Sequence, residues 1–228
     1  MFFDDYGPLI LTGTWMTVKL GVLSLAGSMA IGLAGASCKL SKNKFFNGIA
    51  TAYTTLIRSV PDLVLMLLIF FSLQIALNRF TDWLAFTQID INPFSAGVMT
   101  LCFIYGAYFT ETFRGAFLAV PSGQTEAGSA YGMSKWLVFR RILFPQMMRF
   151  ALPGIGNNWQ VLIKSTALVS IIGLNDLLRA TQDAGKSTTR FFYYSIICAL
   201  VYLAITTISN MALIWLEQRY SMGLRRAQ

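Results

Sequence analysis

The residue pattern that could carry out chemistry at a surface lies between Glu126 and Pro145. This is the least hydrophobic long segment of a largely apolar chain. It reads Glu-Ala-Gly, three residues, Gly132, nine residues, and then Ile142-Leu-Phe-Pro145. Small side chains follow Glu126 and let another surface approach closely; they are Ala127, Gly128, Ser129 and Ala130. The pattern favours a docking surface, and the alternative is an ordinary amphipathic loop that lies on a membrane.

Local signals within this segment predict two short helices joined by a glycine turn. Ser122 is a candidate N-cap for the first helix, and Gly132 fits the left-handed position that ends it. Ser134 is a candidate N-cap for the second helix. Pro145 either ends that helix or begins the next one. Gly128 is expected to loosen the first helix by ~1 kcal/mol relative to alanine.

A second group of polar residues follows on one predicted helix. Asn157, Gln160 and Lys164 recur at i, i+3 and i+7, and Asn158 and Ser165 are adjacent. A lysine in lipid costs at least ~2.5 kcal/mol, so it is expected to face a cavity, a partner or a counter-charge. The stripe therefore predicts either a translocation pathway or interhelical hydrogen bonds that hold the bundle together.

A third group combines aromatic and charged side chains. Tyr105, Tyr108 and Thr112 share a helix face, with Glu111 at its edge. A carboxylate beside two rings can receive a cationic group. However, Glu111 and Arg114 are three residues apart and can pair with each other, so a structural ion pair is the other interpretation.

The composition requires a membrane environment for these elements. The chain is 55% hydrophobic and 12% charged, against roughly 25% charged in soluble domains. The last uncharged run, Phe191 to Leu216, is 26 residues long and can cross a ~30 Å hydrocarbon core. Backbone groups in lipid must bond within the segment, so the runs are predicted to be helices. The fold class is an all-α membrane protein with five transmembrane helices, at about 10–37, 60–78, 93–120, 151–173 and 191–216.

The basic residues predict the orientation of these helices. Placing the N-terminus outside puts three segments in the cytoplasm: the 38–59 loop, the 121–150 loop and the C-terminal tail. These segments hold eleven of the eighteen Lys and Arg residues, and the outer loops hold four. The positive-inside tendency therefore indicates N-out and C-in. Since the charges follow this alternation, the net charge of +8 is interpreted as topological, and no nucleic-acid partner is predicted.

Other residue types exclude several classes of function. The chain has no histidine and no cluster of Cys, Asp and Glu, so no metal site and no His-based catalysis is predicted. The segment 184–188, Ala-Gly-Lys-Ser-Thr, resembles the end of a phosphate-binding loop. However, the glycine that such a loop needs five residues earlier is Ala180. The chain is not expected to bind ATP.

The segment Glu126 to Pro145 resembles the loop by which permease subunits of binding-protein-dependent ABC importers dock on their ATPase. The family pattern is Glu-Ala-Ala, three residues, Gly, nine residues, Ile-x-Leu-Pro; Gly128 and Phe144 depart from it. Similarity extends over nearly the whole chain, including 54–58, 104–115 and 152–160. It is strongest to the polar-amino-acid branch, in particular to Q-type subunits of histidine/lysine/arginine/ornithine importers, with opine importers as near relatives.

The resemblance implies a type I ABC importer fold and a function. Residues 1–228 would form one transmembrane permease domain in the bacterial inner membrane, with an ATPase-coupling loop at 121–150. The implied partners are a homologous M-type permease, a homodimeric ABC ATPase that holds ATP and Mg, and a periplasmic amino-acid-binding protein. The chain itself would be non-catalytic and would bind no cofactor. The implied coupling residues are Glu126, Ala127, Gly128, Gly132, Ile142 and Pro145.

The expected cargo is a basic or polar amino acid of the histidine, arginine, lysine and ornithine class. The candidate path residues are Asn157, Gln160, Lys164, Tyr105 and Tyr108, although the partner permease can hold the substrate site instead. A permease for an opine or another polar amino acid is the first alternative. A stand-alone secondary carrier is the second, but it would leave the cytoplasmic segment unexplained.

Overall fold

The computed structural model describes residues 3–83, 87 and 90–221, and within these the chain is almost entirely helical. Arg225 and Arg226, which entered the charge argument, lie outside the described residues. The helices in chain order are α1 (Phe3–Leu40), α2 (Lys44–Ser59), α3 (Asp62–Trp83), α4 (Pro93–Leu118), α5 (Ser122–Ala130), α6 (Lys135–Val138), α7 (Phe144–Ser165), α8 (Leu177–Thr188) and α9 (Phe191–Ser221). A π-helical turn (Phe139–Leu143) joins α6 to α7, and a 3₁₀ segment (Thr166–Ile172) continues α7.

Four of the described helices are long and apolar enough to cross a membrane alone. They lie within α1, α3, α4 and α9. The run Lys135–Ile172 together with α8, bent by 56° between them, makes a fifth span if the pair is counted as one. The prediction of an all-helical membrane protein is confirmed for the described residues, and the predicted number of spans, five, is reached when the bent pair is counted as one.

The prediction of a loop over residues 38–59 is wrong, because α2 occupies most of this segment. Asn43 caps this helix by accepting a hydrogen bond from the Phe45 amide at 2.9 Å. Ala50, Thr54 and Ile57 turn inward at helical spacing, whereas the opposite face is exposed. The helix is amphipathic, and it is too short and too polar to reach the mean hydropathy of a membrane span. A search for membrane spans therefore misses it.

The prediction of an outer loop between the fourth and fifth spans, residues 174–190, is also wrong over most of its length. The segment forms α8, which the Asp176 side chain caps by accepting a hydrogen bond from the Arg179 amide at 3.0 Å. Leu177 and Ala184 are fully buried in a small apolar cluster with α1 and α9. The phosphate-loop look-alike at 184–188 lies in α8 and at its C-terminal end, so it has no loop that could wrap a phosphate.

The closest helix packing joins α1 to α4. Gly32 of α1 lies directly against Phe109 of α4, and a Cβ added at Gly32 would lie 2.9 Å from the Phe109 carbonyl carbon. Small residues let the two helix backbones approach closely, which favours association where lipid gives no hydrophobic drive. The fully buried side chains of Phe109 and Phe113 fill the same region.

We expect Gly32→Val to prevent stable packing of α1 on α4. The added side chain meets the backbone of Phe109, so relief requires separation of the helices and costs at least about 1–3 kcal/mol. The measurement is the fraction of protein that elutes as a single peak from size-exclusion chromatography after detergent extraction. Gly115→Val is the control, because a Cβ at Gly115 in α4 meets no atom within 4 Å. Equal losses for both variants would contradict the packing role.

Candidate functional site

The first candidate site is a helical knob formed by residues 122–142. Ser122 is the first residue of α5 rather than its N-cap; Pro121 occupies the cap position and provides no side-chain hydrogen bond. At the other end, Gly132 has a φ of 75°. The Gly132 amide donates to the Ser129 carbonyl at 3.0 Å and the Met133 amide to the Gly128 carbonyl at 3.1 Å. These two bonds form a Schellman motif, which places glycine at the predicted position.

Gly128 determines how closely the two arms of the knob pack. A Cβ added there would lie 2.6 Å from Ile142 Cδ1 and 3.2 Å from Val138 Cγ2. The expectation that this glycine merely loosens α5 is therefore incomplete, because the missing methyl group also makes room for Ile142. Ser134 caps the second arm as predicted, accepting a hydrogen bond from the Leu137 amide at 3.4 Å.

The outer face of the knob is open to a partner. Glu126 and Ala127 are exposed, and Tyr131 is 88% exposed at the tip. Trp136 is 67% exposed on the second arm and stacks on Phe139 with ring centroids 5.7 Å apart. Tyrosine and tryptophan are enriched at protein interfaces, so these exposed side chains favour a docking surface.

The second arm of the knob continues into a membrane helix. Pro145 lies in the first turn of α7, where its missing amide costs little, so it begins a helix rather than ending one. The π turn carries the chain from α6 into α7 without a break. The knob and the polar residues of α7 therefore belong to one helical run from Lys135 to Ser165.

The second candidate site is the place where two interrupted helices meet. The chain breaks between α2 and α3 at Val60 and Pro61, and α7 changes to 3₁₀ geometry after Ser165. Tyr105, the thirteenth of the 26 residues of α4, is 1% exposed and joins the two breaks. Its hydroxyl donates to Asp62 Oδ2 at 2.9 Å and accepts from Ser165 Oγ at 2.6 Å, since the one hydroxyl proton goes to the carboxylate.

Each helix end at this meeting point carries a charge of the matching sign. Arg58 lies in the last turn of α2, Asp62 in the first turn of α3, and Lys164 in the last turn of α7. Cations are favoured at helix C-termini and anions at N-termini. Interrupted helices near the middle of a span are also where transporters place their polar sites.

Two stacked tyrosines extend this meeting point towards the knob side. The Tyr105 and Tyr108 rings are 5.5 Å apart, and the Arg58 guanidinium lies 5.5 Å from the centre of the Tyr108 ring. The two tyrosines therefore differ in environment. Tyr105 is enclosed and bonded to protein groups, whereas Tyr108 is partly exposed.

Glu111 is the centre of a three-residue ion cluster. Its Oε2 lies 2.9 Å from both Nε and Nη2 of Arg114, which is the pair expected from their spacing. Its Oε1 contacts the ammonium group of Lys39 at the end of α1. Both carboxylate oxygens of Glu111 are therefore occupied by cations of the protein.

The structure divides the predicted polar stripe of α7 between two environments. Asn157 and Lys164 are exposed. Gln160 instead donates to Asn210 Oδ1 of α9 at 3.2 Å, and Asn158 donates to Thr112 Oγ1 of α4 at 3.0 Å. The first two residues are available to a path or a partner chain, whereas the other two make interhelical hydrogen bonds.

The sequence of the chain was compared with protein-family models. The model for the inner membrane component of binding-protein-dependent transport systems matches residues 28–222. The chain belongs to this family.

Individual members place this permease more narrowly. It is 59% identical over 222 residues to the histidine/lysine/arginine/ornithine transport system permease protein HisQ of Escherichia coli, covering 97% of each chain. It is 38% identical to the octopine transport system permease protein OccQ of Rhizobium meliloti, covering 98% of this chain and 94% of OccQ.

A solved structure supports the same fold. A crystal structure of an amino acid ABC transporter with histidines matches with a TM-score of 0.79 and 33% identity, covering 95% of this chain and 96% of that one. The chain is therefore an inner-membrane permease component of an ABC importer. Membership also implies an ATPase and a binding protein as partners.

Sequence reasoning missed several residues of this permease that the structure brings into the two sites. Lys39 was interpreted as a topological charge, and Asn210 lay unremarked in an apolar run. Nothing local in the sequence indicates that the Tyr105 hydroxyl reaches both Asp62 and Ser165. For Tyr131, its position just before the turn glycine was a usable signal.

We expect Tyr105→Phe to destabilise this permease, because the change removes the hydroxyl that joins Asp62 to Ser165 and keeps the ring. Hydrogen bonds to charged groups give an expected loss of about 1–3 kcal/mol in the free energy of unfolding. Denaturant unfolding in detergent measures it. Tyr108→Phe is the matched control, since within the described residues the Tyr108 side chain is held by contacts of its ring. An equal loss in both variants would remove the bridge from the account.

Proposed function

We propose that this chain is the permease subunit of an ATP-driven importer for basic or polar amino acids of the histidine, arginine, lysine and ornithine class. A periplasmic binding protein delivers the amino acid, and the permease forms part of its route across the membrane. The 59% identity to HisQ over nearly the whole of both chains supports the cargo class. The observation that carries the mechanism is the single helical run that begins in the knob and ends beside Tyr105.

The proposed assembly follows the type I arrangement. A homologous M-type permease packs beside this chain, and two copies of one ATPase hold ATP and Mg on the cytoplasmic side. The N-terminus is outside and the C-terminus inside, in the multi-pass topology of a bacterial inner-membrane protein. The knob lies outside the predicted spans and carries three basic residues, Lys135, Arg140 and Arg141. These residues support this orientation, because cytoplasmic loops carry an excess of Lys and Arg.

The proposed coupling surface is the exposed face of the knob. Glu126, Ala127 and Tyr131 meet the ATPase, while Gly128, Gly132, Ile142 and Pro145 maintain the shape of the knob and its connection to α7. When ATP draws the two ATPase subunits together, the knob moves and α7 moves with it. This opens the route outward, and hydrolysis resets it.

The proposed path residues are those that the fold leaves available. Asn157, Lys164 and Tyr108 face open space in this chain, and Lys164 would attract the carboxylate of a passing amino acid. Gln160 and Tyr105 have structural roles that support the path without lining it. Glu111 and Arg114 form an ion pair within the fold.

An opine permease is the second candidate function. It is favoured by the 38% identity to OccQ, which covers 94% of that protein. Opines combine an amino-acid part with a second carboxylate, so the two candidates differ in the charge of the cargo. Uptake of arginine and of octopine by the reconstituted importer, each with its own binding protein, distinguishes them.

We expect Glu126→Lys to reduce ATP-driven uptake by roughly tenfold or more, because a lysine reverses the charge at the proposed ATPase contact. The assay is uptake of radiolabelled arginine by proteoliposomes that contain the complete importer and external binding protein. Gln124→Lys is the control, since it places the same lysine on another side of α5. Normal uptake by Glu126→Lys would exclude this carboxylate from coupling.

Asn157→Ala and Gln160→Ala are expected to fail in different ways. Asn157 is exposed, so its loss should change the transport rate or the apparent affinity and leave unfolding within about 0.5 kcal/mol of wild type. Gln160 bonds to Asn210, so its loss should lower the free energy of unfolding by about 0.6–1.7 kcal/mol. Uptake and denaturant unfolding are measured on both variants. A stability loss at Asn157 with normal transport would make the whole stripe structural.

A further inference from the structure

A polar groove of about 480 Å³, open to the surface and called the chamber below, lies between the end of α1, α2 and the second half of α4. Its lining includes the charged side chains of Lys39, Arg58 and Glu111, with the Tyr108 ring and the Thr55 and Ser59 side chains. The volume falls in the range of small-molecule sites, about 300–1,000 Å³. Glu111 is six residues beyond Tyr105 along α4, so the chamber lies between the meeting point of the broken helices and the knob side of the chain.

The charges of this chamber do not balance. The two oxygens of Glu111 are occupied by Lys39 and Arg114, so this carboxylate has no free oxygen for a third cation. Within the described residues, no carboxylate lies within 4.0 Å of the Arg58 guanidinium. Arg58 is instead held against the face of Tyr108. The chamber therefore carries a surplus positive charge.

The end of α2 compensates only part of this charge. A helix C-terminus is equivalent to about half of a negative charge, and Arg58 lies in the last turn of α2. Arg58 is exposed and lines the chamber, so its guanidinium is accessible to a ligand there. Their planar fork matches a carboxylate, which can accept two parallel hydrogen bonds.

We propose that Arg58 binds the carboxylate of the transported amino acid in this chamber, on the knob side of the meeting point of the broken helices. The proposal rests on the proposed function, since it assigns a second contact to the same cargo. Lys39 and Arg114 repel a cationic side chain, so the amino acid lies with its carboxylate on Arg58 and its side chain directed away from the cluster. The Tyr108 ring holds the guanidinium in position.

The test compares two ligands that differ by the carboxylate alone. Binding of radiolabelled arginine and of agmatine, which is arginine without its carboxylate, is measured on the complete importer in nanodiscs without the binding protein. We expect wild type to bind arginine roughly tenfold or more tightly than agmatine. Arg58→Gln should weaken arginine and should not weaken agmatine, so that the preference for arginine is lost.

Two further variants make the result specific. Arg79→Gln removes an exposed arginine near the far end of α3 and should keep the wild-type preference. Arg58→Lys keeps the charge but loses the fork, so it should weaken arginine several-fold and leave agmatine unchanged. This variant decides the question if Arg58→Gln does not assemble.

Three results would overturn the proposal: no preference for arginine in wild type, an unchanged preference in Arg58→Gln, or an equal loss of both ligands. An unchanged preference combined with less bound phosphatidylglycerol in Arg58→Gln nanodiscs would assign the chamber to a lipid phosphate instead. The proposed function is tested separately by ATP-driven uptake of wild type. Its failure leaves no uptake at all, whereas failure of the present proposal leaves uptake intact.

Discussion

The hydroxyl of Tyr105 holds together the two places where helices of this bundle are interrupted. Each interruption frees backbone groups that lipid cannot satisfy, so the fold must enclose both breaks or line them with polar atoms. One buried oxygen contacts the start of α3 through Asp62 and the end of α7 through Ser165. The position of Lys164 follows, because it precedes Ser165 at the helix end that this contact fixes.

The knob and the meeting point of the broken helices are separate sites, although α7 connects them along the chain. The knob presents small and aromatic side chains to a partner, and its shape depends on Gly132 at positive φ and on the contact of Gly128 with Ile142. The meeting point of the broken helices depends on hydrogen bonds and charges in the middle of the bundle. α7 belongs to both, so a partner that moves one must also act on the other.

The sequence predicts the parts of this fold that depend on local signals. Hydropathy finds the long spans, and the glycine turn of the knob and the Ser134 cap follow from the backbone preferences of those residues. It fails for α2 and α8, which are short and apolar on one face alone, so neither reaches the hydropathy of a membrane span. It also fails for the contacts of Asp62 and Gln160, since their partners are 43 and 50 residues away along the chain. Spacing can put residues on one face of a helix, but it does not say which neighbour that face meets.

The continuous run from Lys135 to Ser165 also has a mechanical consequence. At 1.5 Å per residue its 31 residues span about 46 Å, with a π turn near one end and Pro153 within α7. Such a rod is a lever: a tilt of about 5° at the knob displaces the opposite end by about 4 Å. That displacement exceeds the length of the hydrogen bonds at Tyr105, so a rotation of this size at the knob would break the contact with Ser165.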